Sequence, residues 1–123
     1  MKDYLKRLFA PKFTLSDFKK PDYLVNAKRS PAWGIIRKQF IEESGGKCAA
    51  CGLRTNLEVH HIIPIHIRPD SELDKNNLIV LCENKSLFCH FVIGHSFSWR
   101  AYNIHVIEDV RQLTNRRKER LYK

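Results

Sequence analysis

Two pairs of cysteines and a doublet of histidines concentrate the chemistry of this chain between residues 48 and 95. Cys48-x2-Cys51 comes first, followed by Val59-His60-His61-Ile62-Ile63-Pro64 and Asn77-Leu78-Ile79-Val80-Leu81-Cys82. Cys89-His90 closes the series, with His95 five residues further on. A Cys-x2-Cys turn lets two thiolates reach one tetrahedral ion, and Gly52 directly after Cys51 suits that turn. Cys82 and Cys89 offer a second pair, although six intervening residues exceed the usual two to four. Four such thiolates fit a structural zinc site that would contribute folding energy outright. A disulfide, or reduced cysteines in the core, are the competing readings. The histidines are more than a structural zinc site requires.

His60 and His61 are neighbours on a predicted strand, where adjacent side chains point to opposite faces. Two different roles follow more naturally than two equivalent ones. One imidazole can bind a catalytic divalent ion while the other stays free to take a proton from water. With an ordinary pKa of about 6.5, histidine suits that base role. His90 follows Cys89 directly, so a metal-bound cysteine would set it rigidly at the start of a helix facing the strands.

The elements that must position these groups are legible in outline. Ser30-Pro31-Ala32-Trp33 opens a helix, with Ser as the cap and Pro in the first turn. Trp33, Ile36, Phe40 and Ile41 recur at helical spacing, and Gly45-Gly46 stops the helix. Its apolar face should pack on the metal module; Arg37 and Lys38 lie on a solvated face or touch phosphates. Leu57 to Ile62 reads as a strand, 68–74 as a polar loop, and 77–82 as a second strand completing a long-looped hairpin. A helix should begin near Phe88 to His90. The tail from Ile104 to Tyr122 predicts another helix, amphipathic at Ile107, Val110 and Leu113. Arg116, Arg117, Lys118 and Arg120 near its end favour the helix dipole as well as a polyanion.

At 123 residues the chain is expected to be one domain: a basic arm over 1–29, a core over 30–95 and a basic helical extension over 96–123. The arm carries scattered aromatics (Tyr4, Phe9, Phe13, Phe18, Tyr23) with Pro11 and Pro21, as short turns and extended pieces wrapping the core or a substrate. The formal net charge of +9 is uneven. Residues 1–47 hold eleven Lys/Arg against five acids, 96–123 seven against three, and 48–95 four against five. A near-neutral centre between basic flanks suits a polyanionic substrate gripped from both sides, with solubilising charge as the alternative. No apolar run is long enough for a membrane span or signal peptide, so a cytoplasmic setting is expected. Disulfides do not persist there, which favours metal-ligating cysteines.

The ordered combination Cys-x2-Cys, Val-His-His-Ile-x-Pro, Asn-Leu-x-x-Leu-Cys and Cys-His resembles the HNH endonucleases, especially compact phage-type ones, over about residues 33–95. The resemblance implies an α+β fold, the small ββα-metal (HNH, His-Me finger) core, with a four-cysteine zinc site and flanking helices. It implies that His60 and His90 bind a catalytic divalent ion, Mg²⁺ or Mn²⁺ or similar. His61 would then be the general base and Asn77 would tie the loop that orients it. Cys48, Cys51, Cys82 and Cys89 match the family's zinc-binding subset. Two departures stand out. The wide Cys82–Cys89 gap could displace Cys82, and the histidine that some members carry four residues after the last motif position is Gly94 here. His95 lies about 140° around an α-helix from His90, a candidate metal or phosphate contact; His66 is a weaker one and His105 a surface residue.

The function implied is metal-dependent DNA cleavage, nicking or double-stranded, in a bacterial or phage-infected cell, by a monomer or weak homodimer with no membrane partner. The products by analogy are a 5′-phosphate and a 3′-hydroxyl. The alternative is a non-catalytic, zinc-dependent nucleic-acid-binding module.

Overall fold

The structure, a computed structural model, describes residues 19–121. The expectations placed on Tyr4, Phe9, Pro11, Phe13 and Phe18 therefore lie outside the described residues.

A strap of residues 19–29, with one helical turn at Asp22–Val25 (α1), leads into the helix Trp33–Glu43 (α2). Strands Leu57–His61 (β1) and Leu78–Cys82 (β2) form a two-stranded antiparallel sheet in which Val59 pairs with Val80 and His60 with Ile79. A π-helical turn at His90–Gly94 follows, and then the helix Val106–Leu121 (α3). Among the described residues, no helix is long and apolar enough to cross a membrane.

The expected stripe of α2 is the one that packs. Trp33, Ile36, Phe40 and Ile41 cover Val59, Leu78 and Val80 on one face of the sheet. Each fully buried side chain of that size contributes roughly 1.5–3 kcal/mol. Gly45 and Gly46 end the helix with φ of +86° and +63°, a conformation that costs glycine little. Gly46 donates back to the Ile41 carbonyl at 2.9 Å, taking up a carbonyl of the last turn. At the other end Ser30 acts one step earlier than expected. Its hydroxyl accepts from the Ala32 amide at 3.2 Å, its carbonyl takes the Trp33 amide, and Ala32 occupies the cap position. Pro31 thus belongs to a turn before the helix. Arg37 is not free for phosphate, because it donates to the Leu57 carbonyl at 3.1 Å and reaches Glu58 at 3.5 Å.

The other face of the sheet, with Ile79 and Leu81, packs on Ile93 of the π turn and on Val106 and Val110 of α3. The buried stripe of α3 runs through Val106, Val110 and Leu113, while Ile107 is 44% exposed. The expected stripe holds at Val110 and Leu113, and Val106 takes the place of Ile107 because the helix starts at Val106. Asn103 fixes it there, accepting from the His105 amide and donating to the buried Asp109 carboxylate at 2.7 Å. Buried polar groups are as a rule hydrogen-bonded, and this bond ties the first turn of α3 to the loop before it.

Candidate metal centres and catalytic site

The wide gap between Cys82 and Cys89 folds as a compact return. The Asn84 side chain is its anchor, accepting from Thr55 Oγ1 at 3.0 Å and Asn56 Nδ2 at 2.9 Å and donating to the Thr55 carbonyl at 3.0 Å. The Phe88 amide closes on the Asn84 carbonyl at 2.7 Å with Phe88 at φ +46°. Cys89 is thereby brought back beside Cys82. On the other side, Gly52 at φ +79° closes the Cys48–Cys51 knuckle, and the Ala49 amide pins that knuckle to the Val80 carbonyl at 2.9 Å.

All four cysteines are free, and their sulfurs lie within 4.8 Å of one another. Cys51 and Cys82 stand 3.6 Å apart. A tetrahedral site with bonds of about 2.3 Å to sulfur has edges of about 3.8 Å, so the donor set fits a zinc-like ion. The crowding also splits the thiols. A hydrogen bond from Cys89 pulls Cys48 down to about 4, while burial pushes Cys51 up to about 11. Four adjacent thiolates repel one another unless a cation neutralises them.

His60 and His61 diverge as neighbours on a strand must. His60 faces the π turn, where it meets His90 and His95. The ring centroids of the three are 4.8 to 5.0 Å apart, and one ring nitrogen of each lies within 4.8 Å of the others. The expected α-helical geometry, with His95 rotated away from His90, is replaced by a π turn. There the His95 amide bonds the His90 carbonyl five residues back, at 3.2 Å. The wider turn returns residue 95 to the side of residue 90. Gly94 explains why no side chain occupies the intervening position. A Cβ there would lie 3.2 Å from two atoms of the His60 ring and from Leu81 Cδ1.

Two of the three imidazoles have a backing partner outside the cluster. His90 Nδ1 donates to Glu83 Oε1 at 3.0 Å, and His95 Nδ1 donates to the Ala101 carbonyl at 2.7 Å. These bonds leave Nε2 of both rings to the cluster, where His90 Nε2 is 3.0 Å from His60 Nδ1. With His60 Nδ1 donating in that pair, His60 Nε2 carries a buried lone pair and has no hydrogen-bond partner. Burial, then the neighbouring His90, keeps His60 well below the ordinary histidine range and brings His95 to about 4. Neutral, buried imidazoles with an orphaned acceptor and a carboxylate behind one ring are a donor set that a divalent cation satisfies.

His61 occupies the other face, its ring 4.7 Å from that of Trp33. Its Nε2 lies 2.8 Å from the Glu72 carbonyl oxygen. A carbonyl only accepts, so Nε2 carries the proton and Nδ1 presents a lone pair. Burial, which outweighs the pull of that carbonyl, lowers the pKa of His61. Asn77 holds the loop in place. Its Oδ1 accepts the Ile63 amide at 2.9 Å, and its Nδ2 donates to the carbonyls of Ile63 and Ser71 at 3.0 and 3.4 Å. A cavity of about 100 Å³ is shared by the histidine cluster, His61 and strap residues that include Lys20, Ala27 and Arg29.

His66 and His105 stay outside. Both are exposed, His66 against Tyr23 with ring centroids 4.5 Å apart. Sequence reasoning missed Glu83, the Glu72 carbonyl and Arg29. Glu83 had one usable signal, a carboxylate directly after the last strand residue; the other two had none.

The HNH endonuclease family model matches residues 48–90. No curated protein and no solved structure matches the chain. The matched segment spans both cysteine pairs, His60, His61, Asn77 and His90, and stops short of His95.

Proposed function

The chain belongs to the HNH endonuclease family through its residues 48–90, and from that premise we propose that it is a divalent-metal-dependent endonuclease hydrolysing phosphodiester bonds of DNA. The observation that carries this reading is the tautomer of His61. Its proton is committed to the Glu72 carbonyl, which leaves Nδ1 as the free acceptor, and His61 lines the same cavity as His60, His90 and His95. A neutral imidazole so placed takes the proton of an attacking water, and burial keeps it neutral at physiological pH.

His60, His90 and His95 would hold the catalytic divalent cation, Mg²⁺ or Mn²⁺ in keeping with the family. The ion supplies Lewis-acid polarisation of the phosphate and charge stabilisation at the departing oxygen. Glu83 and the Ala101 carbonyl fix the rings of His90 and His95 so that their Nε2 atoms converge. Asn77 fixes the loop whose Glu72 carbonyl aims His61. Cys48, Cys51, Cys82 and Cys89 would hold a structural zinc, stapling the turn before β1 to the start of the π turn in a ββα-metal core. The exposed Arg111, Arg116, Arg117 and Lys118 of α3 supply sequence-independent phosphate contacts.

The experiment is plasmid cleavage in Mg²⁺ or Mn²⁺ by wild type and His61→Ala, with DNA retention measured in parallel. Loss of cutting with retained binding is the expected result. Equal cutting by both proteins would refute the assignment of His61. Binding without cutting by the wild type would make the chain a non-catalytic nucleic-acid-binding module.

A further inference from the structure

From the surroundings of His61, and resting on the phosphodiesterase reading above, we infer that Arg29 is a catalytic residue that seats the scissile phosphate and covers the base until that phosphate arrives. Arg29 Nη1 lies 3.5 Å from His61 Nδ1, the ring nitrogen that carries the lone pair. Any water about to be deprotonated must hydrogen-bond at that same nitrogen. The guanidinium therefore stands where the nucleophile has to stand.

Cation and base share their supports. Arg29 lies over the Trp33 ring, 5.1 Å from its centroid, and His61 packs on the same indole. Glu72 holds both as well. Its carbonyl takes the His61 proton, and its carboxylate accepts the backbone amide of Ser30, next to Arg29, at 2.9 and 3.2 Å. One tryptophan and one glutamate thus fix the distance between a base and a cation that come from segments 32 residues apart in sequence.

Arg29 is not paired with an anion among the described residues. Glu72 is engaged by Ser30, and Glu58 lies 3.5 Å from Arg37. Partial desolvation of the guanidinium disfavours its charge, and those two glutamates offset this only at longer range. A guanidinium has five donors and no acceptor, so its contact with an imidazole lone pair is a weak use of it. The cavity it lines also borders His60, His90 and His95. A phosphodiester entering there offers two oxygens to the planar fork, a charge-assisted bidentate pairing that the imidazole cannot match. The guanidinium then leaves Nδ1 for the phosphate, and water takes its place. The base is uncovered by the same substrate that its deprotonated water attacks.

Two substitutions on the exposed strap test this without touching the sheet or the cysteines: Arg29→Ala and Arg29→Lys. The reaction of His61 with diethyl pyrocarbonate, mapped by peptide mass spectrometry with no divalent ion added, reads the cover. Calorimetric binding of inorganic phosphate reads the seat. In Arg29→Ala, His61 should react faster than in wild type and phosphate should bind at least about tenfold more weakly; Arg29→Lys should fall between. Turnover of bis(4-nitrophenyl) phosphate should drop about a hundredfold in kcat for Arg29→Ala. Equal modification rates, or equal phosphate affinities, in wild type and Arg29→Ala would overturn the inference. If the wild type hydrolyses neither this diester nor DNA, the nuclease reading fails. The modification and phosphate measurements still decide the place of Arg29.

Discussion

Nε2 of His61 lies 2.8 Å from the carbonyl oxygen of Glu72, and this single bond decides which ring nitrogen can act as a base. It also bears on pH. The neutral imidazole is the working form, and burial, reinforced by Arg29, holds the pKa below the ordinary value near 6.5. Protonation at low pH therefore switches the base off, and the midpoint should lie on the acid side of 6.5. A kcat profile for plasmid nicking should rise with pH, reach its plateau before neutrality and stay level above it. A limb centred above pH 7 would mean that some other group is being titrated.

Removal of the ion expected at the cysteines should unfold the protein. Structural zinc in small modules is worth about 10–16 kcal/mol of apparent binding energy, against a whole-domain stability of about 5–15 kcal/mol. Cys48 and Cys82 are almost wholly buried, and Cys82 ends β2. Loss of the ion leaves four adjacent thiolates at the base of the sheet, which repel one another until protons replace the cation. A strong zinc chelator should abolish the far-ultraviolet helical signal at room temperature, and added zinc should restore it. Cys89→Ser should behave like the chelated protein.

The two side-chain groups, the four cysteines and His60 with His90, were readable from the sequence because residue types and spacings are local properties. Strand alternation alone sends His60 and His61 to opposite faces, and the pairing of His60 with Ile79 puts it opposite the α2 side. The return of Cys89 was not readable, since it depends on Asn84 reaching across to Thr55 and Asn56. The position of His95 was misjudged for a related reason. A π turn differs from an α turn by one residue, and it accompanies a tertiary contact, the close approach of Gly94 to His60, that the local sequence does not display. Arg29 looked like one charge among many in a basic arm. Only the tertiary contact with His61 and Trp33 separates it from the rest.

Glu83 is expected to set metal affinity through His90. Its carboxylate accepts the Nδ1 proton at 3.0 Å, which orients the ring and raises the basicity of Nε2. Glu83→Gln keeps the size and removes the charge. Losses of about 10- to 100-fold in metal affinity are usual when such a partner is removed. Calorimetric titration with Mn²⁺ should show a drop of that order, with kcat recovering at saturating metal. An unchanged dissociation constant would mean that His90 does not contact the ion.

Gly94→Ala tests how tightly β1 and the π turn are pressed together. A methyl group there would lie 3.2 Å from the His60 ring and from Leu81 Cδ1, closer than ordinary carbon contacts. Neither neighbour can yield easily, since Leu81 is fully buried and His60 is held by its bond to His90. Overpacking of this kind costs about 1–3 kcal/mol, which should appear as a lower midpoint in urea. The relief available is a shift of the His60 ring, so affinity for Mn²⁺ should fall along with stability. A protein with a lower urea midpoint but undiminished metal binding would show that the ring stays in place and that the strain is taken up at Leu81. One with neither effect would mean that the π turn and β1 stand further apart than the 3.2 Å approach requires.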